Sequence, residues 1–372
     1  MHPAIRAVAH FGELWSSSEN WEQFVWNLSR FEFPRPLSIY VCPLFVVRQK
    51  SQLPAADRLF RNVASVKTQK DSRLVSMLLD SERFPQEHLR GSLVLWPAVD
   101  GSHYMLVALA PSLVWDRSVR IPLDRTSTEV VKPSLTQVAM KQVLESFEKN
   151  LSGMTIRVVK AASRRWITAK GEPRRMGSRI DWELMSIDEA FREAKEEGKW
   201  FTNIKVELLR TGRQGRKFAT GIVASIHRHG YHQANAPFPE LFSNLTPLLL
   251  EIGRETIRRL SNRSRLDSPS LAVRPLAIEY DMNLFKDPSR NRDFIRAATK
   301  IPRFGFSILH GNPYLHMALT DFADGSSYEV FVVEASRVFL VPQLRATPGS
   351  LNRLLSHLFS GFPEGKIVDA AS

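Results

Sequence analysis

The sequence predicts an α+β fold: two related, mainly antiparallel sheet-plus-helix units flanking a basic central α+β segment. Three observations carry that prediction. An apolar run ending in Asp-Gly occurs twice, as Asp100-Gly101-Ser102-His103-Tyr104 and as Asp324-Gly325-Ser326-Ser327-Tyr328. Asp-Gly tolerates the positive φ of a tight primed turn, so each copy reads as the tip of a β-hairpin. The likeness also continues on both sides in the same order, as an internal duplication requires. Upstream, Arg35-Pro36-Leu37-Ser38-Ile39 matches Arg274-Pro275-Leu276-Ala277-Ile278; downstream, Val119-Arg120-Ile121-Pro122 matches Phe339-Leu340-Val341-Pro342. Finally, the net charge of +13 is uneven: residues 1–147 hold +3, 148–270 hold +9 and 271–372 hold +1. Those segments are the expected domains, namely an N-terminal helix with the first unit, a basic central domain, and the second unit.

Within residues 11–31, Trp21, Phe24, Val25 and Leu28 recur at helical spacing after Ser16-Ser17-Ser18, which predicts one amphipathic helix closed by Phe33-Pro34. The first unit then reads as a strand over 37–47, helices over 57–79, a hairpin over 92–110, a third strand near Val119 and a closing helix over 134–147. The central segment opens with a strand over 154–159. A helix over 186–198 follows, whose Ser-Ile-Asp-Glu start suits the helix dipole. Strands over 204–209 and 219–226 are joined by Arg210-Thr211-Gly212-Arg213-Gln214-Gly215-Arg216-Lys217, a basic, glycine-punctuated tip. A helix over 241–260 turns Leu248, Leu249 and Ile252 inward, and 267–269 reads as a linker. The second unit is expected to hold a strand over 276–280, a turn at Asp287-Pro288-Ser289, a helix over 292–299, and then hairpin, third strand and a helix over 350–362.

Composition narrows the function classes. Apolar residues make up 43% and charged residues 24%, enough for sizeable cores. No run approaches the roughly 20 apolar residues that cross a bilayer, so no membrane partner is expected. The N-terminus lacks the basic flank and apolar core of a secretory signal, and the expected location is the cytoplasm. The single cysteine, Cys42, excludes an internal disulfide framework and a thiol-rich zinc site; in its apolar run it reads as a small buried hydrophobe. There is no Gly-Lys-Ser/Thr phosphate loop, no Gly-x-Ser-x-Gly elbow and no Rossmann glycine triplet, and no cofactor is expected.

The chemistry that the pattern favours is nucleic-acid binding by the central segment. Arg164, Arg165, Arg174 and Arg175 surround Trp166, and Glu172 is the one acidic residue between Lys160 and Arg179. So dense a like-charge run repels itself unless an anion or solvent relieves it. Arg210, Arg213, Arg216 and Lys217 supply a ribbon tip for backbone phosphates, with Arg258 and Arg259 as a further basic edge. Arginine outnumbers lysine 36 to 15, and the guanidinium fork suits bidentate phosphate contact. Residues 212–215 match the bare Gly-x-x-Gly of the KH backbone clamp, but join expected strands where that clamp joins helices. The expected role is therefore a non-catalytic DNA- or RNA-binding component of a larger assembly with protein partners, such as a genome-defence complex.

Two other readings stand beside it. A metal-assisted phosphodiesterase would use His227 and His229 on one strand face, with His310, His316 and Asp321 as a second cluster. A scaffold would instead offer hairpin edges to a protein partner.

Overall fold

The computed structural model describes residues 1–46, 54–126, 130–165, 178–212, 217–236, 238–265, 274–280, 283–311 and 314–370. The chain divides into two compact units, Met1–Leu123 with Lys132–Arg254, and Asp124–Val131 with Glu255–Ser372. The expected division at residue 147 falls inside the first of them.

The chain begins with α1 (Pro3–Ser16), α2 (Trp21–Leu28), β1 (Ser38–Val46), α3 (Ala56–Leu59), β2 (Val63–Gln69), β3 (Ser72–Leu78), β4 (Arg90–Pro97) and β5 (His103–Ala110). A helical stretch follows: α4 (Ser112–Val114), a wide turn over Trp115–Arg120, and α5 (Ile121–Thr126). After β6 (Val130–Val131) come α6 (Gln137–Lys149), β7 (Met154–Arg165), β8 (Ser178–Met185), α7 (Ile187–Glu196), β9 (Lys199–Thr211), β10 (Lys217–His227), β11 (Tyr231–Ala234) and α8 (Thr246–Ser261). The strands of the first unit form one antiparallel sheet in the order β2-β3-β4-β5-β1-β11-β10-β9-β7-β8. β1 is its hinge in sequence terms: Ile39 pairs with Leu109 of β5 on one side and Ala234 of β11 on the other. The basic central segment thus supplies half of a sheet that the first segment begins.

Strand alternation sends one set of side chains to a shared core. Ile39 and Val41 of β1, Val107 and Leu109 of β5, Ile204, Val206 and Leu208 of β9, and Ala224 and Ile226 of β10 pack there beneath the helices. From α1 come Ala4, Ala7, Phe11 and Trp15, spaced to line one helix face; α6 adds Met140, Val143, Leu144 and Phe147, and α7 adds Ile187, Ala190 and Ala194. The opposite face is buried only over part of its width. Tyr40, Cys42, Leu93, Leu95, Leu106 and Ala108 lie buried there, as do Trp115 and Val119 of the helical stretch.

Several expectations are corrected. Residues 11–31 are two helices, because Ser16, Ser17 and Ser18 bond back to the carbonyls of Glu13 and Leu14 and so close α1. The cap that opens α2 is Asn20, whose Oδ1 accepts from the Gln23 amide at 2.8 Å. Over 57–79 only α3 is helical; β2 and β3 form a hairpin turned at Lys70, which has φ 53°. Around Val119 the chain is helical where a strand was expected, and Val114, Trp115, Ser118 and Val119 are buried in it.

The second unit contains β12 (Leu276–Glu279), α9 (Ser289–Ala298), β13 (Phe304–His310), β14 (Leu315–Asp321), β15 (Ser326–Glu334), β16 (Arg337–Pro342), α10 (Pro348–Gly361) and β17 (Lys366–Asp369). Its sheet runs β13-β14-β15-β16-β12-β17. In both sheets a meander of consecutive strands ends beside the first strand of the unit, and a later strand flanks that first strand on its other side. β1 and β12, which follow the two Arg-Pro sequences, hold equivalent places. The Asp-Gly turns do not: Gly101 joins the last two strands of its meander, whereas Gly325 joins β14 to β15, its middle pair. Both glycines do adopt the left-handed φ expected of them, 66° and 75°. Phe285, Phe294 and Phe362 pack with Tyr280 into an aromatic core beside α9 and α10. No helix among the described residues is long and apolar enough to cross a membrane.

Candidate nucleic-acid interface

Three cations of the central segment, Arg157, Lys160 and Lys205, lie on the face of the first sheet opposite the helical core. On β7, β9, β10 and β11, the described side chains opposite the helical core are half-buried or exposed except Leu209 and Tyr231, which are buried. One row across the strands reads Lys160, Lys205, Ser225, Gln233 and Tyr40, each directly opposite the next. Two lysines on adjacent strands therefore face each other, an arrangement that repels unless a counter-charge is near. Asp181 of β8 is the register partner of Lys160 on its other side, and Lys205 is exposed. In the neighbouring row Arg157 is held by Glu207, Nε to Oε2 at 2.9 Å. The remaining polar groups are neutral and can donate: Gln233 Nε2 reaches Ser38 Oγ at 3.0 Å. Against the covered half this surface ends in an aromatic border. His227 stacks on Tyr231 at 4.1 Å, Tyr231 meets Trp115 edge-on at 5.1 Å, and Trp115 stacks on Tyr40 at 4.4 Å.

The hairpin of β9 and β10 extends this surface. Arg210 faces Phe218 and Thr211 faces Lys217 across the ribbon, and all four residues are exposed. Because Leu208 points into the core, alternation puts Arg210 and Phe218 on the helical side and Lys217 on the open side. Near Gly221 the register shifts between Ala219 and Val223, a bulge that bends the ribbon.

The sequence-predicted residues meet different fates. Arg164 and Arg165 end β7, opposite Trp200 and Lys199 of β9. Trp166, Arg174, Arg175, Arg213 and Arg216 lie outside the described residues. Arg258 is engaged with Glu255 through two hydrogen bonds of 2.9 Å, which hold the Glu255 carboxyl below the usual carboxylate range. Arg259 donates to the Ile367 carbonyl at 3.1 Å. Lys205 and Phe218 were overlooked, although the alternation Ile204-Lys205-Val206-Glu207-Leu208 already places Lys205 on the face away from the core.

The histidines do not assemble. β10 ends at His227, and His229 sits in the turn that follows, so the two do not share a strand face. His227 points to the open side, while His232 is buried on the helical side with Nε2 3.1 Å from Thr246 Oγ1. Burial pushes both imidazoles down to about 3, with Arg120 adding to the effect at His227. In the second unit His310 and His316 are register partners, but His316 stacks on Phe331 at 4.3 Å on the face opposite Asp321. Asp321 is fully buried, accepting from Ser350 Oγ at 2.7 Å and from Arg353. Among the described residues no group of three or more His, Cys, Asp or Glu side chains could hold a metal ion.

No known family model matches this chain, and no curated protein matches it either.

Proposed function

We propose that the protein binds nucleic acid without cleaving it, gripping phosphates with the open half of the first sheet and the β9–β10 ribbon. The observation that carries this reading is the set of exposed cations on β9 and β10, namely Lys205, Arg210 and Lys217, with Lys160 of β7 in register beside Lys205. A nucleic-acid backbone presents anions at a spacing that exposed cations on neighbouring positions can follow. Lys217 continues the open face along the ribbon, and Arg210 stands exposed on the ribbon's other side. Arg258 and Arg259 are left out of this surface, since Glu255 and the Ile367 carbonyl already engage them. The separation of the histidines supports binding rather than metal-assisted hydrolysis.

The test is fluorescence anisotropy with labelled DNA and RNA oligonucleotides. Replacing Arg210, Arg213, Arg216 and Lys217 together by Ala is expected to weaken binding similarly across sequences, because phosphate contacts carry no base information. Unchanged affinity for both nucleic acids would remove the ribbon from the interface.

A further inference from the structure

Phe218 is 56% exposed in a strand, at the ribbon described above, with Arg210 directly across from it and Lys217 beside it in sequence. It belongs to neither hydrophobic core, and its cross-strand neighbour is a cation. Resting on the nucleic-acid reading above, we infer that the ribbon selects single-stranded nucleic acid, with a base stacking on the Phe218 ring while Arg210 holds an adjacent phosphate. The chemistry is specific to single strands. A base offers its π-face only when it is unstacked from its neighbours, and an aromatic side chain accepts any base in that state. In a duplex the faces are occupied, and the same ribbon finds phosphates alone.

A direct cross-strand pair sets side chains about 5 Å apart at Cβ, a spacing over which a long Arg210 side chain and a ring serve neighbouring parts of one nucleotide. Lys217 points to the other side of the ribbon, toward the face of Lys205. The two cations thus give the strand a hold on both sides of the tip, and the ring a hold on one. Sequence preference is not expected, since the ribbon supplies stacking and charge rather than a paired donor and acceptor for a base edge.

The test measures the full chain binding a labelled single-stranded oligonucleotide of about 20 residues and the corresponding duplex, in DNA and RNA versions. Phe218→Ala is expected to weaken single-strand binding about tenfold, with duplex binding changed less than about twofold. Phe218→Trp is expected to restore or tighten single-strand binding. Wild-type protein that binds neither form overturns this inference and the functional reading together. Wild-type protein that binds, but loses nothing in Phe218→Ala or loses single strand and duplex equally, overturns the stacking role and leaves phosphate binding standing. Phe218 is exposed, so its replacement leaves both cores intact.

Discussion

Ser350 and Arg353, one turn of α10 apart, both donate to the Asp321 carboxylate, and that is what makes a fully buried acid tolerable. Asp321→Ala leaves Arg353 buried without its counter-ion and is expected to destabilise the protein by about 3–5 kcal/mol in urea unfolding. Replacing both, as Asp321→Leu with Arg353→Met, should lose much less; an equal loss would show that the pair does not act as a unit. His232 gives a pH dependence of definite sign. Its folded-state value is pushed down to about 3, against about 6.5 in an unfolded chain. Above about pH 6.5 neither state holds the proton. From there down to about pH 3 the unfolded state gains it and the native state does not, so stability falls as pH falls, by at most about 1.4 kcal/mol per pH unit from this group. The gap between urea midpoints at about pH 7 and about pH 5 should therefore narrow in His232→Gln, the remainder including the contribution of His227, which is also held down to about 3; an undiminished acid sensitivity would assign it elsewhere. Gly230 is a third constrained residue. At φ 72° a Cβ would sit 2.1 Å from the Pro133 carbonyl oxygen, so Gly230→Ala should be among the more damaging small substitutions, read as a lower urea midpoint.

At the level of elements, α7 begins with a complete capping box. The Ser186 hydroxyl accepts from the Glu189 amide at 3.3 Å, and Glu189 accepts from the Ser186 amide at 2.9 Å. Ser186→Ala should cost about 1 kcal/mol, seen as a lower urea midpoint; no change would mean that α7 is held by its Ile187, Ala190 and Ala194 contacts alone. That start was legible in the sequence because a cap is local chemistry. So were both Asp-Gly turns and the β9–β10 hairpin. The errors came where one local pattern serves two purposes. A serine run reads as a helix start, but the same hydroxyls can bond backward and end a helix, as Ser16, Ser17 and Ser18 do. Within 57–79, where helices were expected, the pairing of β3 sends Leu74 to one face of the sheet and Val75 and Met77 to the other.

At the scale of the whole molecule, the charge map and the fold tell different parts of one account. The concentration of cations between residues 148 and 270 was visible in composition, but its placement depends on which strands β1 joins, and no local pattern records that pairing. The strands after the two Arg-Pro sequences, β1 and β12, take like positions in their sheets, while the Asp-Gly turns fall one hairpin apart, because turn chemistry repeats wherever a tight turn is needed. The candidate surface was half legible: Arg210 and Lys217 stood out as a run, whereas Lys205 joins Lys160 only through the register of β7 and β9. Arg258 and Arg259 form a similar run in the sequence, but Glu255 and the Ile367 carbonyl engage their guanidinium groups. That contrast defines the most direct measurement, the slope of log affinity against log salt for a single-stranded oligonucleotide. Losing two phosphate contacts in Lys160→Ala with Lys205→Ala should reduce the slope by about 1.4, whereas Arg258→Ala with Arg259→Ala should leave it unchanged. An unaltered slope in the lysine pair, or an equal fall in both pairs, would contradict the open sheet face as the phosphate-binding surface.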